Sequence, residues 1–297
     1  MIDLHCHTTC SDGTSTPAGL ICEAAAAGIE AIAVTDHDTI AGYAPAAEAG
    51  RRMGIEVICG VELSCKPSAE QMGPRLPSVH ILGYFLQGEP EPGFRYWLSE
   101  MQRSRQARNF ALIARLRDLG VAITIGEVEE IGGSMCGRPH FARILVEKNY
   151  ASSRQDAFDR YLADGASASV HRDEPSVIEG VERIARGSGI PVLAHPVRLP
   201  ECDEGGLNAF LSPLIEAGLK GVEVYHSDHS PEDEATFLKV AERHSLVVTG
   251  GSDWHGANKP GVALGIGSGR LCLPYSMLDK MRRVQAEMAS AGHLPRS

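Results

Sequence analysis

The chain predicts an α/β barrel interrupted by a helical insertion, and three observations carry that prediction. Short apolar, β-branched segments alternate with helical patterns, the mark of βα units around a parallel sheet. The 297 residues match a length that α/β barrels routinely occupy as a single unit. From about Gly93 to Gly189 the alternation stops and the pattern is helical almost throughout.

Taken in order, the first strand is expected near residues 2 to 6. Alternate side chains of a strand share a face, so Asp3, His5 and His7 point one way while Leu4 and Cys6 point the other. A helix follows over Pro17 to Ala27, with Thr16-Pro17 as cap and first-turn proline and Gly28 as its stop. Further strands are expected near 31 to 35, 56 to 63 and 79 to 85. The insertion then contributes helices over Trp97 to Leu119, Glu127 to Ile131, Arg138 to Asn149, Arg154 to Ala163 and Val177 to Arg186. Strands near 190 to 195, 221 to 226 and 247 to 252 complete a set of seven. The expected organisation is a barrel domain of residues 1–92 and 190–297 with a helical substrate-binding subdomain at 93–189, since such inserts cover a barrel mouth and select substrate.

Composition narrows the function. A hydrophobic content of 43% with 22% charged residues is that of a soluble globular protein. The longest apolar run, Ala24 to Val34, is broken by Glu30 and is too short to span a bilayer. The opening Met1-Ile2-Asp3 has no basic leader, so a cytoplasmic location without a cleaved signal peptide is expected. Cysteines 6, 10, 22, 59, 65, 136, 202 and 272 show neither a CxxC pair nor regular spacing, which argues against a disulfide framework and against a thiolate zinc site. The net charge of -10 argues against broad electrostatic binding of nucleic acid while leaving room for a short nucleotide.

The histidines and acids fall at strand ends. His5 and His7 close strand one, Thr35-Asp36-His37-Asp38 strand two, Gly60-Val61-Glu62-Leu63-Ser64 strand three, Ala194-His195-Pro196 strand five and Gly251-Ser252-Asp253-Trp254-His255 strand seven. His80 is the poorest fit, because it lies early in its strand. In α/β barrels the carboxyl ends of the strands converge on one mouth, so these distant groups are expected to meet. Nitrogen and oxygen donors without thiolates suit Mn²⁺, Zn²⁺ or Fe²⁺, and six histidines with three carboxylates suffice for two or three ions. Asp3 and Asp36 either ligate metal or orient a ligand imidazole. His226 follows strand six and faces the mouth, while Glu223 is expected inside the barrel, paired with a neighbour.

The stretches DLHCHTTCSDG, AVTDHDT, GVELS, VHILGY, AHP and GSDWHG, spread over residues 3 to 256, resemble the PHP (polymerase and histidinol phosphatase) phosphoesterases among the amidohydrolase-like barrels. The resemblance implies a distorted seven-stranded barrel and up to three divalent ions, Mn²⁺ foremost. It implies one ion on His5, His7, Glu62 and Asp253, a second on Glu62, His80 and His195, and a third on Asp12, His37 and His255. Asp12 stands where some relatives have histidine, and it is also placed among the substrate contacts. Activated water held between ions would attack phosphorus in line. The catalytic set is then Asp253, His255 and His226, with His226, His255 or water protonating the leaving oxygen.

The insertion adds a second indication. Gly132-Gly133-Ser134-Met135-Cys136-Gly137-Arg138-Pro139-His140 is a glycine-rich turn running into a helix and resembles an anion cradle. Ser134, Arg138 and His140 are therefore expected to hold a second substrate phosphate, with His171, Arg172 and Arg198 as further candidates. A PHP barrel with such an insert is similar to bacterial enzymes that remove the 3'-phosphate of nucleoside 3',5'-bisphosphates and trim nucleotides from the 5' end of short RNA. The expected partners are thus a small nucleotide or short RNA, with no membrane and no stable protein partner. The rival readings are a histidinol phosphate phosphatase and an amidohydrolase-type C–N hydrolase. The latter usually bridges its metals with a modified lysine, and here only Lys66 of six lysines falls near a strand end.

Overall fold

The computed structural model describes residues 1–67, 78–172 and 174–290, apart from the side chain of Ser134. Strands β1 (Ile2–Cys6), β2 (Ala31–Val34), β3 (Glu56–Cys65), β4 (Val79–Phe85), β5 (Ile190–Leu193), β6 (Gly221–His226) and β7 (Val247–Gly251) form one sheet in sequential order. The chain leaving β7 returns to β1: Asp253 N–H donates to the His5 carbonyl at 2.8 Å and His7 N–H to the Trp254 carbonyl at 2.9 Å. The sheet thus closes nearly into a barrel, and both ends of the closing seam carry site residues.

The expected parallel sheet needs one correction, because β4 runs antiparallel to both β3 and β5. A parallel neighbour needs a crossover, usually a helix. Only residues 66–78, 13 in all, separate β3 from β4, near the minimum of about a dozen that a parallel crossover needs. Reversal of β4 brings its first residues, not its last, to the mouth. His80, opposite Ser64 in the β3–β4 register, therefore sits where the other strands end.

Helices α1 (Pro17–Ala26) and α2 (Tyr43–Met53) cover β1 to β3, and α8 (Glu204–Glu216) and α9 (Pro231–Arg243) cover the later strands. Thr16 caps α1 by accepting Gly19 N–H at 3.1 Å, and Gly28 follows its end at φ +72°. The last helix, α10 (Ser276–Ser290), packs Met277, Leu278 and Met281 with Ile2, Leu4, Leu82 and Tyr84. Tyr84 is fully buried and donates its hydroxyl to the Leu4 carbonyl at 2.9 Å, tying the reversed strand to β1.

Between β4 and β5 lie α3 (Pro92–Asp118), α4 (Ile125–Gly132), α5 (Arg138–Glu147), α6 (Arg154–Ala157) and α7 (Val177–Arg186). The first turns of α3 (Phe94, Leu98) and all of the buried face of α7 (Val177, Val181, Ile184) belong to the barrel's outer core. Farther along α3, Leu112, Ile113 and Leu116 join Phe141, Ile144, Leu145 and Leu162 in a separate core. One long helix therefore spans two cores and fixes the helical segment over the barrel. Among the described residues no helix is long and apolar enough to cross a membrane.

Candidate metal centre

The loop after β1 is shaped by close packing. A Cβ on Gly13 would lie 2.3 Å from the His7 carbonyl oxygen, so only glycine fits this return. Asp36 accepts from Thr8 N–H at 2.7 Å, from the Thr8 hydroxyl at 2.8 Å and from the Ser11 hydroxyl at 2.6 Å, which sets the loop that carries Asp12. Asp3 accepts from Ser252 N–H at 2.9 Å and from Gly265 N–H at 2.8 Å. Both aspartates are spent on backbone and hydroxyl donors, which answers the sequence-level ambiguity in favour of positioning.

Glu62 is the hub. Its Oε1 lies 2.7 Å from His80 Nδ1 and 2.9 Å from His195 Nε2. Its Oε2 lies 3.3 Å from His5 Nε2 and 3.2 Å from both His7 Nε2 and His37 Nδ1. Asp253 Oδ1 is 3.5 Å from His5 Nε2, 3.3 Å from His7 Nε2 and 3.6 Å from His255 Nδ1. Asp12 faces His255 Nε2 at 3.3 Å and His37 Nε2 at 3.7 Å. The nine expected ligands thus converge although they are up to 250 residues apart in sequence. Donor atoms of His5, His7, Glu62 and Asp253 lie within 4.8 Å of one another, as do those of His7, Asp12, His37 and His255 and those of His37, Glu62 and His80.

Several of these atoms approach one another without forming hydrogen bonds. His5 Nε2, both ring nitrogens of His7, His37 Nδ1 and Glu62 Oε2 are buried with no hydrogen-bond partner. Buried polar atoms without partners are costly, and here they converge, which is the arrangement divalent cations satisfy. Around them sit groups that aim the rings. Glu223 contacts His5 Nδ1 at 2.9 Å and accepts His195 N–H at 2.8 Å, so His5 turns Nε2 inward. Its expected place inside the barrel, paired with a neighbour, is what the structure has. Three non-glycine residues at the centre adopt positive φ: Asp38 (50°), His195 (27°) and Asp253 (55°), backbone strain of the kind that functional sites retain.

Electrostatics divides the imidazoles. Burial disfavours a charged His7, yet the carboxylates of Asp253 and Glu62 facing its Nε2, with Asp12 nearby, outweigh that and raise its pKa to about 10. His5 is likewise raised: burial pulls it down, but Glu223, Glu62 and Asp253 prevail. Burial lowers His37 to about 4 and His195 to about 3, against the pull of Glu62. Burial acts to raise Glu62 and Asp253, but the facing histidines hold both well below the usual carboxylate range. Without cations the site is therefore held by protons on His5 and His7, and these must leave before the rings can ligate. Cation uptake by stripped protein at pH 8 is expected to release about one to two protons. Affinity should rise with pH between 7 and 9. Calorimetric titration in two buffers of different ionisation enthalpy checks this, and identical heats in both would contradict it.

The centre opens into a cavity of about 350 Å³ lined by Asp12, His37, Glu62, Asp253 and His255. The helical segment contributes His140, Arg143 and Arg154 to the same lining, and Arg198 and Lys259 complete its basic groups. Arg198 is 3.0 Å and Lys259 Nζ 2.8 Å from Asp253 Oδ2, and the buried His226 Nε2 approaches the same oxygen at 3.2 Å.

The cradle expected at 132–140 is built differently. Gly133 stands at φ +58°, and a Cβ there would lie 2.7 Å from the Ser11 carbonyl oxygen; one on Gly132 would lie 2.7 Å from the His140 ring. These glycines serve close packing, and Gly137 N–H is given to His140 Nδ1 at 3.0 Å, so that donor is taken. Arg138 is turned away to Asp164 at 2.9 Å and is not among the cavity-lining residues. His171 is exposed and does not line the cavity either, while the Arg172 guanidinium is buried 3.2 Å from Glu174. The Ser134 side chain lies outside the described residues. Arg143, Arg154 and Lys259 were not anticipated. Arg143 could have been, since it lies three residues after His140 on the same helix face.

Comparison with known proteins agrees with the geometry. Residues 3–164 match the PHP domain. The chain is 34% identical over 257 residues to a phosphoribosyl 1,2-cyclic phosphate 1,2-diphosphodiesterase of Eggerthella lenta, covering 86% of this chain and 94% of that one. It is 32% identical over 266 residues to a 3',5'-nucleoside bisphosphate phosphatase of Chromobacterium violaceum, covering 89% and 90% of the two chains. The solved structure of a metal-dependent phosphoesterase from Bifidobacterium adolescentis superposes with a TM-score of 0.71 at 30% identity over 94% of both chains. The likeness extends over most of the chain, and the chain belongs to the PHP domain family of metal-dependent phosphoesterases.

Proposed function

We propose that this enzyme removes the 3'-phosphate from nucleoside 3',5'-bisphosphates, leaving the 5'-mononucleotide, and releases 5'-nucleotides from the 5' end of short RNA. One observation carries the reading: a single cavity is lined both by the carboxylates and imidazoles of the centre and by Arg143, Arg154 and His140 of the helical segment. A substrate with two phosphates meets both, and a monophosphate leaves one unused. The C. violaceum relative acts on such a bisphosphate by name. Residues 93–189 serve in this reading as the substrate-binding subdomain, with their own core at residues 112–168 and both ends packed on the barrel.

Divalent cations, for which we take Mn²⁺ first with Zn²⁺ and Fe²⁺ suited to the same donors, would be held by His5, His7, Asp12, His37, Glu62, His80, His195, Asp253 and His255; they would supply charge neutralisation and a water of lowered pKa. The protein's own groups do the rest. Glu223 keeps His5 oriented, and Arg198 and Lys259 stand beside Asp253 where they can take up charge developing on the phosphoryl oxygens. His226 accepts Asp228 N–H at Nδ1, so its Nε2 beside Asp253 can hold the proton that the departing 3'-oxygen needs, whereas His255 is spent as a ligand in this reading. A cytoplasmic location fits the eight free cysteines.

The test is phosphate release from adenosine 3',5'-bisphosphate by chelator-stripped protein with and without Mn²⁺. Expected is Mn²⁺-dependent release that leaves 5'-AMP. Inactivity on the bisphosphate together with cleavage of phosphoribosyl 1,2-cyclic phosphate or histidinol phosphate would overturn the reading.

A further inference from the structure

Asp38 is tied to the helical segment more tightly than any turn residue needs. It is 1% exposed, follows the expected ligand His37 and adopts φ +50°. Its Oδ1 accepts Ser64 N–H at 2.8 Å, and its own N–H donates to the Glu62 carbonyl at 3.0 Å. The remaining two bonds come from α3. Gln102 Nε2 donates to the Asp38 carbonyl at 2.8 Å, and the buried Arg105 guanidinium pairs with Asp38 Oδ2. The start of α5 packs on that arginine, since a Cβ on Gly137 would lie 3.3 Å from Arg105 Nη1. A second contact lands on the other side of the same cluster: Gly133 fits against the carbonyl oxygens of Thr9 and Ser11, next to Asp12. The helical segment thus grips the chain immediately beside His37 and immediately beside Asp12, and these two residues face each other at 3.7 Å. These contacts fall beside two members of one candidate ligand set, His7, Asp12, His37 and His255, whereas α7 packs on β3, β4 and β5 through the barrel's outer core.

We propose that Arg105 and Gln102 are positioning residues for a cation held by His7, Asp12, His37 and His255, and that this cation's affinity is coupled to the helical segment. The inference rests on the metal-centre reading and extends it. If the segment sets the spacing of Asp12 and His37, anything that settles the segment tightens that cation, and by linkage the cation tightens what binds the segment. Nucleotide bound against Arg143 and Arg154 is the relevant case.

Mn²⁺ binding to stripped protein, followed by the electron paramagnetic resonance of free Mn²⁺ and by metal content after gel filtration, tests this without reference to turnover. Arg105→Met is expected to weaken one ion by the 10–100-fold typical of groups that orient ligands. The other ions should bind as in the unsubstituted protein, and Arg105→Lys should restore most of the loss. Addition of 5'-AMP should tighten the same ion in the unsubstituted protein and not in Arg105→Met. Gln102→Ala removes one hydrogen bond and is the variant to use if Arg105→Met does not fold; it should weaken the same ion by a smaller factor. Unchanged Mn²⁺ affinity in the folded variants, or an equal weakening of every ion, would overturn the proposal. A failed phosphatase assay with these Mn²⁺ effects present would instead count against the substrate reading alone.

Discussion

Glu62→Gln is expected to lower turnover by at least about 10³-fold and to leave the protein short of at least one divalent ion, beyond the 10–100-fold typical of groups that merely orient a ligand. The expectation follows from how many partners share this carboxylate. Five imidazoles lie within 3.3 Å of its two oxygens, and no other acid of the site approaches so many. Glutamine keeps the volume, so packing at the end of β3 is preserved and the variant should fold. It removes the charge, and it puts an amide donor toward rings that need an acceptor or a cation there. Glu223→Gln is the matching control. Glu223 touches His5 Nδ1 and His195 N–H but faces away from the shared cluster, so its loss should fall within the 10–100-fold range. Metal content by mass spectrometry alongside rates on adenosine 3',5'-bisphosphate checks both. Full metal content with a normal rate in Glu62→Gln would refute the hub role.

The contrast between these acids shows how far the sequence could be read. Alternation around His5 and His7, and histidines or acids at successive strand ends, were enough to foresee that His5, His7, His37, Glu62, His195, Asp253 and His255 meet, because strand direction decides which ends share a mouth; Asp12 entered only with the resemblance to PHP phosphoesterases. His80 was the misfit for the same reason: with β4 assumed parallel its position is wrong, and with β4 reversed it is correct. The shortness of the β3–β4 link held that information. Asp3 and Asp36 could not be assigned beforehand, because their partners come from distant parts of the chain: Ser252 and Gly265 N–H for Asp3, and the Thr8 N–H with the Thr8 and Ser11 hydroxyls for Asp36. The glycines at 132 and 133 misled in another way. Glycine permits either an open anion cradle or a close approach of two backbones, and only the fold reveals that the loop after β1 occupies the space.

The second large effect is on selectivity, and it separates Arg143 and Arg154 from Arg138. The double variant Arg143→Ala/Arg154→Ala is expected to lower kcat/KM for adenosine 3',5'-bisphosphate by roughly 10²–10³-fold, since a hydrogen bond to a charged group contributes about 1.5–3 kcal/mol. Hydrolysis of p-nitrophenyl phosphate, which has nothing to place against these arginines, should change by less than about threefold. Arg143 also bonds Glu147 at 2.7 Å within α5, an exposed pair whose loss costs a few tenths of a kcal/mol, so the variant should remain folded. Arg138→Ala makes the opposite case. Sequence placed this residue in the cradle, but its guanidinium is engaged with the exposed Asp164 outside the cavity lining. Its removal should leave the preference for bisphosphate over monoester nearly intact. Equal losses on both substrates in the double variant would show that Arg143 and Arg154 support the fold of the site without reading a second phosphate. Loss of preference in Arg138→Ala alone would mean that the segment rearranges on binding and turns this arginine into the cavity.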